Sequence, residues 1–144
     1  MNFEVRPASG PGEVARALEL RREVFIVEQG VPEEEELDGR EDECVHVLAF
    51  DGGRLVGCCR LLPAGDGLVK LGRMVVAADR RREGVAAALL AESDVQAAGL
   101  GADRIRLAAQ VYVTSLYEKD GYAVTSDPFD DAGIEHVMME KRLT

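Results

Sequence analysis

Apolar residues along this chain recur with two different periods, and the switches between them lay out its elements. Asn2 to Arg6 alternates with period two and stops at Pro7, as a short first strand does. Val14, Ala17, Leu18, Arg21, Phe25 and Glu28 then recur at helical spacing, which predicts a helix from about Gly12 to Gln29, ended by Gly30 and Pro32. Two strands follow, Val45 to Phe50 and Arg54 to Leu62, joined by the hairpin turn Asp51-Gly52-Gly53. Pro63 to Gly67 turns the chain into an apolar strand, Leu68 to Val76. An Ala-rich helix begins near Gly84, with Ala86, Leu89, Leu90, Ser93 and Ala97 on one face and Gly99 as a C-cap. Arg104 to Ala109 reads as a strand and Val113 to Lys119 as a short helix ending at Gly121. The last strand is Glu135 to Arg142, after the Pro128 to Gly133 loop. The order β-α-β-β-β-α-β-α-β-β, without repeat or linker, describes one β-rich α/β domain over residues 1–144.

Charge changes the picture at two places. Arg21 and Glu28 fall on or beside the apolar face of the first helix, so each must snorkel, pair or face a cleft. Between Glu28 and Glu43 lie nine acids and a single cation, Arg40. Such a run reads either as a solvated loop or as an acidic approach that attracts a cationic substrate.

Composition excludes several classes. With 17 basic and 27 acidic residues the net charge is −10, which opposes binding to nucleic acid or to an anionic membrane surface. No apolar run nears the ~20 residues of a membrane span, and no secretory signal is visible at the N-terminus. Cys44, Cys58 and Cys59 are odd in number and lack metal-ligand spacing, so a reduced, cytoplasmic chain without a metal is expected.

Arg81-Arg82-Glu83-Gly84-Val85-Ala86 sits between the strand ending at Val76 and the Ala-rich helix. A strand, a basic glycine turn and a helix together present the helix's first unpaired N–H groups and its positive dipole end to whatever lies above. Gly84 permits close backbone approach. The turn reads as a phosphate cradle, with a plain strand-to-helix turn as the alternative. It is neither a Walker loop nor a Rossmann fingerprint, because the Lys-Ser/Thr pair and the three spaced glycines are missing.

These residues carry a family resemblance. Arg81 to Ala86 matches the (Gln/Arg)-x-x-Gly-x-(Gly/Ala) turn of GNAT acyl-CoA-dependent N-acyltransferases. Leu116-Tyr117-Glu118-Lys119-Asp120-Gly121-Tyr122 matches that family's Leu-Tyr-Glu-x-x-Gly-(Phe/Tyr) stretch. Leu20 to Phe25, Glu28 to Pro32, His46, Gly72-Arg73-Met74, Ala109-Gln110 and Gly133-Ile134-x-His136 resemble the ElaA-like (YjcF-like) subgroup. Arg82 departs from the pattern at a position where glycine is common. Ala132 and Glu135 depart near the closing Gly-Ile and His.

The resemblance implies a GNAT fold, a mixed and mostly antiparallel sheet of six to seven strands. That sheet would splay between the fourth and fifth strands and be flanked by about four helices. It implies acetyl-CoA as co-substrate, with the backbone of Met74, Val75 and Val76 along the pantetheine arm. Arg81, Arg82, Glu83, Gly84, Val85 and Ala86 would hold the diphosphate, and Gln110 would be a further hydrogen-bonding partner. Tyr117 matches the proton donor to the departing thiolate, against the alternative of a core tyrosine. A backbone N–H near Met74 or Val75 would stabilise the oxyanion. The first helix and its loop would roof the acceptor side, which places Arg21, Glu28, His46, Arg73 and His136 around a small amine acceptor of zwitterionic or amino-sugar type, with a polyamine as rival. The general base is left among Glu28, Glu43, His46 and His136.

Three readings follow: a cytosolic N-acetyltransferase, with a homodimer among its candidate assemblies, a non-catalytic acyl-CoA-binding GNAT module, and a different nucleotide-binding domain.

Overall fold

The computed structural model describes residues 3–143, so Asn2 of the expected first strand lies outside the described residues. Strand β1 (Glu4–Pro7) leads into helix α1 (Pro11–Arg21), which continues without a break as a π-helix over Arg22–Glu28. A one-turn helix α2 (Glu33–Glu36) and a 3₁₀ turn (Glu41–Glu43) occupy the acidic stretch. The hairpin β2 (Val45–Asp51) and β3 (Arg54–Pro63) is followed by β4 (Leu68–Val76), α3 (Val85–Gly99) and β5 (Arg104–Gln110). Helix α4 (Thr114–Lys119), the short strands β6 (Ala123–Val124) and β7 (Phe129–Asp131), and β8 (Ile134–Arg142) complete the chain.

The eight strands of the described residues form one sheet in the order β1-β2-β3-β4-β5-β8-β6, with β7 on β8. Two strands of two and three residues account for the excess over the six to seven expected. Every pairing is antiparallel except β4 with β5, which run parallel over only three registers, from Leu68↔Arg104 to Lys70↔Arg106. Beyond Lys70 the two strands part.

The cause is local to β4. Arg60 pairs with Gly72 and Cys58 with Val75, so Arg73 and Met74 together oppose the single residue Cys59. This is a β-bulge, and Arg73 sits in it at φ +53°, a left-handed conformation that non-glycine residues seldom adopt. A bulge bends and twists its strand, and here it lies just where β4 leaves β5.

Each face of the sheet has its own core. Val47, Val56, Leu61, Val69, Leu71, Ile105, Leu107 and Met139 pack under Val85, Leu89, Leu90 and Ala97 of α3. On the other face Leu48, Phe50, Cys58 and Val75 pack under Ala17, Leu20 and Val24. Gly57 of β3 fixes the approach of α3. A Cβ there would stand 2.6 Å from Val85 Cγ1 and 3.1 Å from the Val75 carbonyl, so the start of α3 can lie against the sheet only over a glycine. At its far end α3 runs through Gly99, the expected cap, so Leu100 caps it one residue later and Gly101 takes the left-handed turn at φ +83°.

Candidate active site

The parting of β4 and β5 opens a cleft of about 960 Å³, at the upper end of ligand-sized sites. Val24, Phe25 and Glu28 of the π-helical segment, with Gln29 as its C-cap, roof the cleft. In that segment the Gln29 N–H bonds the Val24 carbonyl five residues back at 2.9 Å. The wider turn is a feature found more often at functional sites than elsewhere.

At the C-terminal end of β4 the chain turns into α3. Arg82 has φ +65° and Gly84, the N-cap, φ +88°. The left-handed backbone at Arg82 is the physical reason a glycine is common there. No side chain caps α3 and its first turn carries no acid, so its leading N–H groups remain available with the positive end of the dipole behind them. A Cβ on Gly84 would meet nothing within 4 Å, so the constraint on this residue is its φ, with open space above. Arg81, Arg82, Gly84, Val85 and Ala86 line the cleft, and so does Arg80, which sequence reasoning missed. Glu83 is not part of the lining; its carboxylate accepts from Arg80 Nε at 2.9 Å.

Arg81 reaches across to the π-helical segment and holds Glu28 bidentately at 2.7 and 2.9 Å. This pairing lowers the Glu28 pKa and raises that of Arg81. Gln110, the last residue of β5, makes a second crossing, donating from Nε2 to Gln29 Oε1 at 3.4 Å.

Met74, Val75 and Val76 form the wall on the β4 side. Val75 and Val76 pair with Cys58 and Gly57 of β3, while the pairing with β5 has already ended at Lys70. Tyr117 of α4 lines the cleft although it is buried, and its ring meets Tyr122 edge to face at 5.9 Å. Burial, with a smaller contribution from Cys59, pushes the Tyr117 phenol up to about 12. His136 of β8 is the register partner of Gln110 and stacks on Phe129. Its Nδ1 lies 2.8 Å from the Ile134 carbonyl. A carbonyl only accepts, so Nδ1 carries the proton, and the neutral ring has its lone pair on Nε2.

The acidic stretch differs most from expectation. Three of its acids, Glu36, Asp38 and Glu41, neither trail in solvent nor stand free for a cation, while Glu34 and Asp42 are exposed. Glu36 is buried, and its Oε1 takes Arg21 Nε at 2.7 Å. Glu41 takes Arg21 Nη1 at 2.9 Å and Arg60 Nη1 at 2.6 Å, and Asp38 also pairs with Arg60. The Glu36 carbonyl accepts from Arg73 Nη2 at 3.1 Å. The Arg60 guanidinium holds Asp38 well below the usual carboxylate range against the opposing effect of burial. Arg21 and Arg60 point inward from α1 and β3, and buried guanidiniums require carboxylate partners. The acids of the loop supply them.

The acceptor assignments are corrected accordingly. Glu28, Arg73 and His136 line the same cleft as Tyr117; Arg21 and His46 do not. Arg21 is 1% exposed and held by Glu36 and Glu41, and His46 is buried with Nε2 bonded to the Glu41 carbonyl. Among the described residues seven cations and three carboxylates line the cleft, in a chain of net charge −10. Lys70 and Arg106 are among those cations, and sequence reasoning missed both. The period-two alternation of β5, which places Arg106 on the face of Gln110, carried the signal for one of them. Among the described residues no group of His, Cys, Asp or Glu could hold a metal.

Residues 9–143 match the Acetyltransferase (GNAT) domain family. The Bacillus subtilis protein described as Uncharacterized N-acetyltransferase YjcF is 38% identical over 135 residues, covering 93% of this chain and 96% of that protein. A putative N-acetyltransferase from Lactobacillus plantarum superimposes with a TM-score of 0.92 at 26% identity, with all of both chains covered. Escherichia coli ElaA does so at 0.87 and 24% identity, over 98% of this chain and 100% of that one. A GNAT family acetyltransferase from Elizabethkingia anophelis, solved with acetyl-CoA bound, shares the fold at 0.74 and 17% identity over 99% of each chain.

Proposed function

This chain belongs to the GNAT family of acetyltransferases, to its YjcF/ElaA type, and we propose that it moves an acetyl group from acetyl-CoA to a primary amine on a small molecule by direct attack. One observation carries this reading. A single cleft, opened by the parting of β4 and β5, has an uncapped helix N-terminus at one end and a buried phenol in its wall.

The residues present fit the co-substrate. Met74, Val75 and Val76 have left their β5 partner, so their backbone groups can pair with an amide-bearing pantetheine arm. The N–H groups from Arg81 to Ala86 and the guanidiniums of Arg80, Arg81 and Arg82 suit a diphosphate. Gln110, already spanning the cleft to Gln29, is within the wall that would flank the arm. When bound, acetyl-CoA supplies a thioester already activated toward amines.

Tyr117 donates its proton to the departing sulfur; with a pKa of about 12 it stays a phenol throughout the neutral range. His136 takes the amine's proton at Nε2, the nitrogen left basic by the Nδ1 bond to Ile134. A C–N bond forms as the C–S bond breaks, one proton goes to His136 and one leaves Tyr117, so the charges balance. A β4 backbone N–H at Met74 or Val75 steadies the carbonyl oxygen. The other candidate bases are engaged elsewhere: Glu28 with Arg81, Glu43 with Arg40, and His46 outside the lining.

Thermal denaturation tests the reading, because a ligand that binds only the native state raises its stability. Acetyl-CoA at a hundred times its Kd should stabilise the protein by about 2.7 kcal/mol, and ATP should not. Stabilisation by ATP alone would refute it. Stabilisation by acetyl-CoA without N-acetyl product from any amine would leave a binding module in place of an enzyme.

A further inference from the structure

We propose that the acceptor amine carries an anionic group, a carboxylate or a phosphate, and that Lys70 and Arg106 hold it at the end of the cleft where β4 and β5 still pair. This inference rests on the acetyltransferase reading for the amine but on separate residues for the anion. Lys70 and Arg106 are register partners in the last rung before β4 and β5 part, and both line the cleft. Like charges directly across a strand pair destabilise a sheet, so their juxtaposition calls for an anion between them. Protein groups supply only part of it. Among the described residues Arg106 donates from Nε alone, to Glu140 at 3.1 Å, and Lys70 is exposed with no carboxylate partner. The nearby acids Glu36, Asp38 and Glu41 are committed to Arg21 and Arg60.

The co-substrate does not account for this pair. Its diphosphate is expected beyond Val76, six residues further along β4, and six residues of strand span roughly 20 Å. The two positive regions are therefore too far apart for one diphosphate. Along β5, Arg106 lies four residues from Gln110, whose register partner is His136, a separation of roughly 13 Å at the backbone. Strand side chains stand roughly perpendicular to the sheet, so even an arginine or lysine side chain of about 6 Å leaning along the strand covers less than half of that. The anion and the amine of the acceptor should then be separated by several bonds, as in an ω-amino acid or an aminoalkyl phosphate, and not by one carbon as in an α-amino acid.

The test compares 6-aminohexanoate and 3-aminopropyl phosphate with hexylamine, using wild type, Lys70→Ala and Arg106→Gln. Glu140 keeps Arg104 as a neighbour at 3.7 Å in the second variant. Wild type should prefer at least one acid-bearing amine to hexylamine by tenfold or more in kcat/KM, and which one identifies the anion. Each variant should raise the KM for that amine about tenfold, with kcat within twofold and hexylamine unaffected. In parallel, inorganic phosphate is titrated into each protein saturated with CoA, at constant ionic strength, with Tm as readout. Phosphate should raise the Tm of wild type and not that of the variants. Equal or better use of hexylamine, or an equal response of all three proteins to phosphate, overturns the proposal. Failure of acetyl-CoA to bind wild type would instead sink the acetyltransferase reading, and the phosphate titration, then run without CoA, would still decide on the anion site through the difference between wild type and the two variants.

Discussion

Replacing Arg21 by Met separates a structural arginine from a substrate-binding one. Arg21 is 1% exposed, and its partner Glu36 is 3% exposed. Burial alone would lower the Arg21 pKa, but its bonds to Glu41 and Glu36 outweigh that effect and raise it. Methionine fills much of the aliphatic volume but leaves Glu36 buried without its 2.7 Å partner, with Arg73 at 3.5 Å as the remaining cation. Removing one member of a buried pair costs about 3–5 kcal/mol, mostly because the surviving charge is stranded. A domain of 144 residues has an unfolding entropy of about 0.3 kcal/mol/K, so Tm should fall by roughly 10–16 °C. Replacing Glu36 by Leu in the same chain should recover much of the loss, since an apolar pair of similar volume is often as stable as the ion pair. Urea denaturation of the two single variants and the double variant measures the cycle. A loss below about 1 kcal/mol for Arg21→Met, accompanied by a raised acceptor KM, would refute this account and return Arg21 to the acceptor site.

Other outcomes follow from the same geometry. Gly84→Ala should weaken acetyl-CoA binding through the left-handed backbone at φ +88°, a cost of about 1–2 kcal/mol, since nothing lies within 4 Å of the added methyl; isothermal titration reads it, and unchanged affinity would discount the strain. His136→Gln should slow transfer by about a hundredfold with partial rescue by added imidazole, as for loss of a general base; absence of both effects would remove His136 from the mechanism. Asp38 and Glu41 have pKa values depressed by their arginines. Their stabilisation is present above the unfolded carboxylate pKa of about 4 and is lost as pH falls below it, so denaturation between pH 6 and pH 2.5 should show a steep loss that Asp38→Asn flattens.

The elements were legible because their periods were clean. Leu68 to Val76 and the face Leu89, Leu90, Ser93 and Ala97 fell where the pattern placed them. The bulge at Arg73 was not legible, since a left-handed arginine inside a strand leaves no mark on hydrophobic periodicity. The π-helical turn was hidden for a related reason: Arg22–Glu28 keeps an apolar face under either helical period over so short a span. The acidic stretch was misread in part because charge runs are usually solvated, as Glu34 and Asp42 are here, and only the fold brings Arg21, Arg60 and Arg73 to meet Glu36, Asp38 and Glu41. Lys70 and Arg106 lie 36 positions apart in sequence and become neighbours only through the one short parallel pairing. Tyr117 and the Arg81–Ala86 turn were recognisable because local sequence largely determines a short helix and a helix start.

The central claim is transfer of an acetyl group through this cleft, and single-turnover acetylation tests it most directly. Wild type and Tyr117→Phe are each saturated with acetyl-CoA and mixed with a panel of acidic, neutral and polycationic amines, and N-acetyl product is followed by mass spectrometry. Wild type should form product with at least one amine. Tyr117→Phe should bind acetyl-CoA with the same Kd and form that product at least tenfold more slowly, as expected for a lost general acid. Equal single-turnover rates would return Tyr117 to the core, and the absence of any N-acetyl product despite tight acetyl-CoA binding would contradict the account.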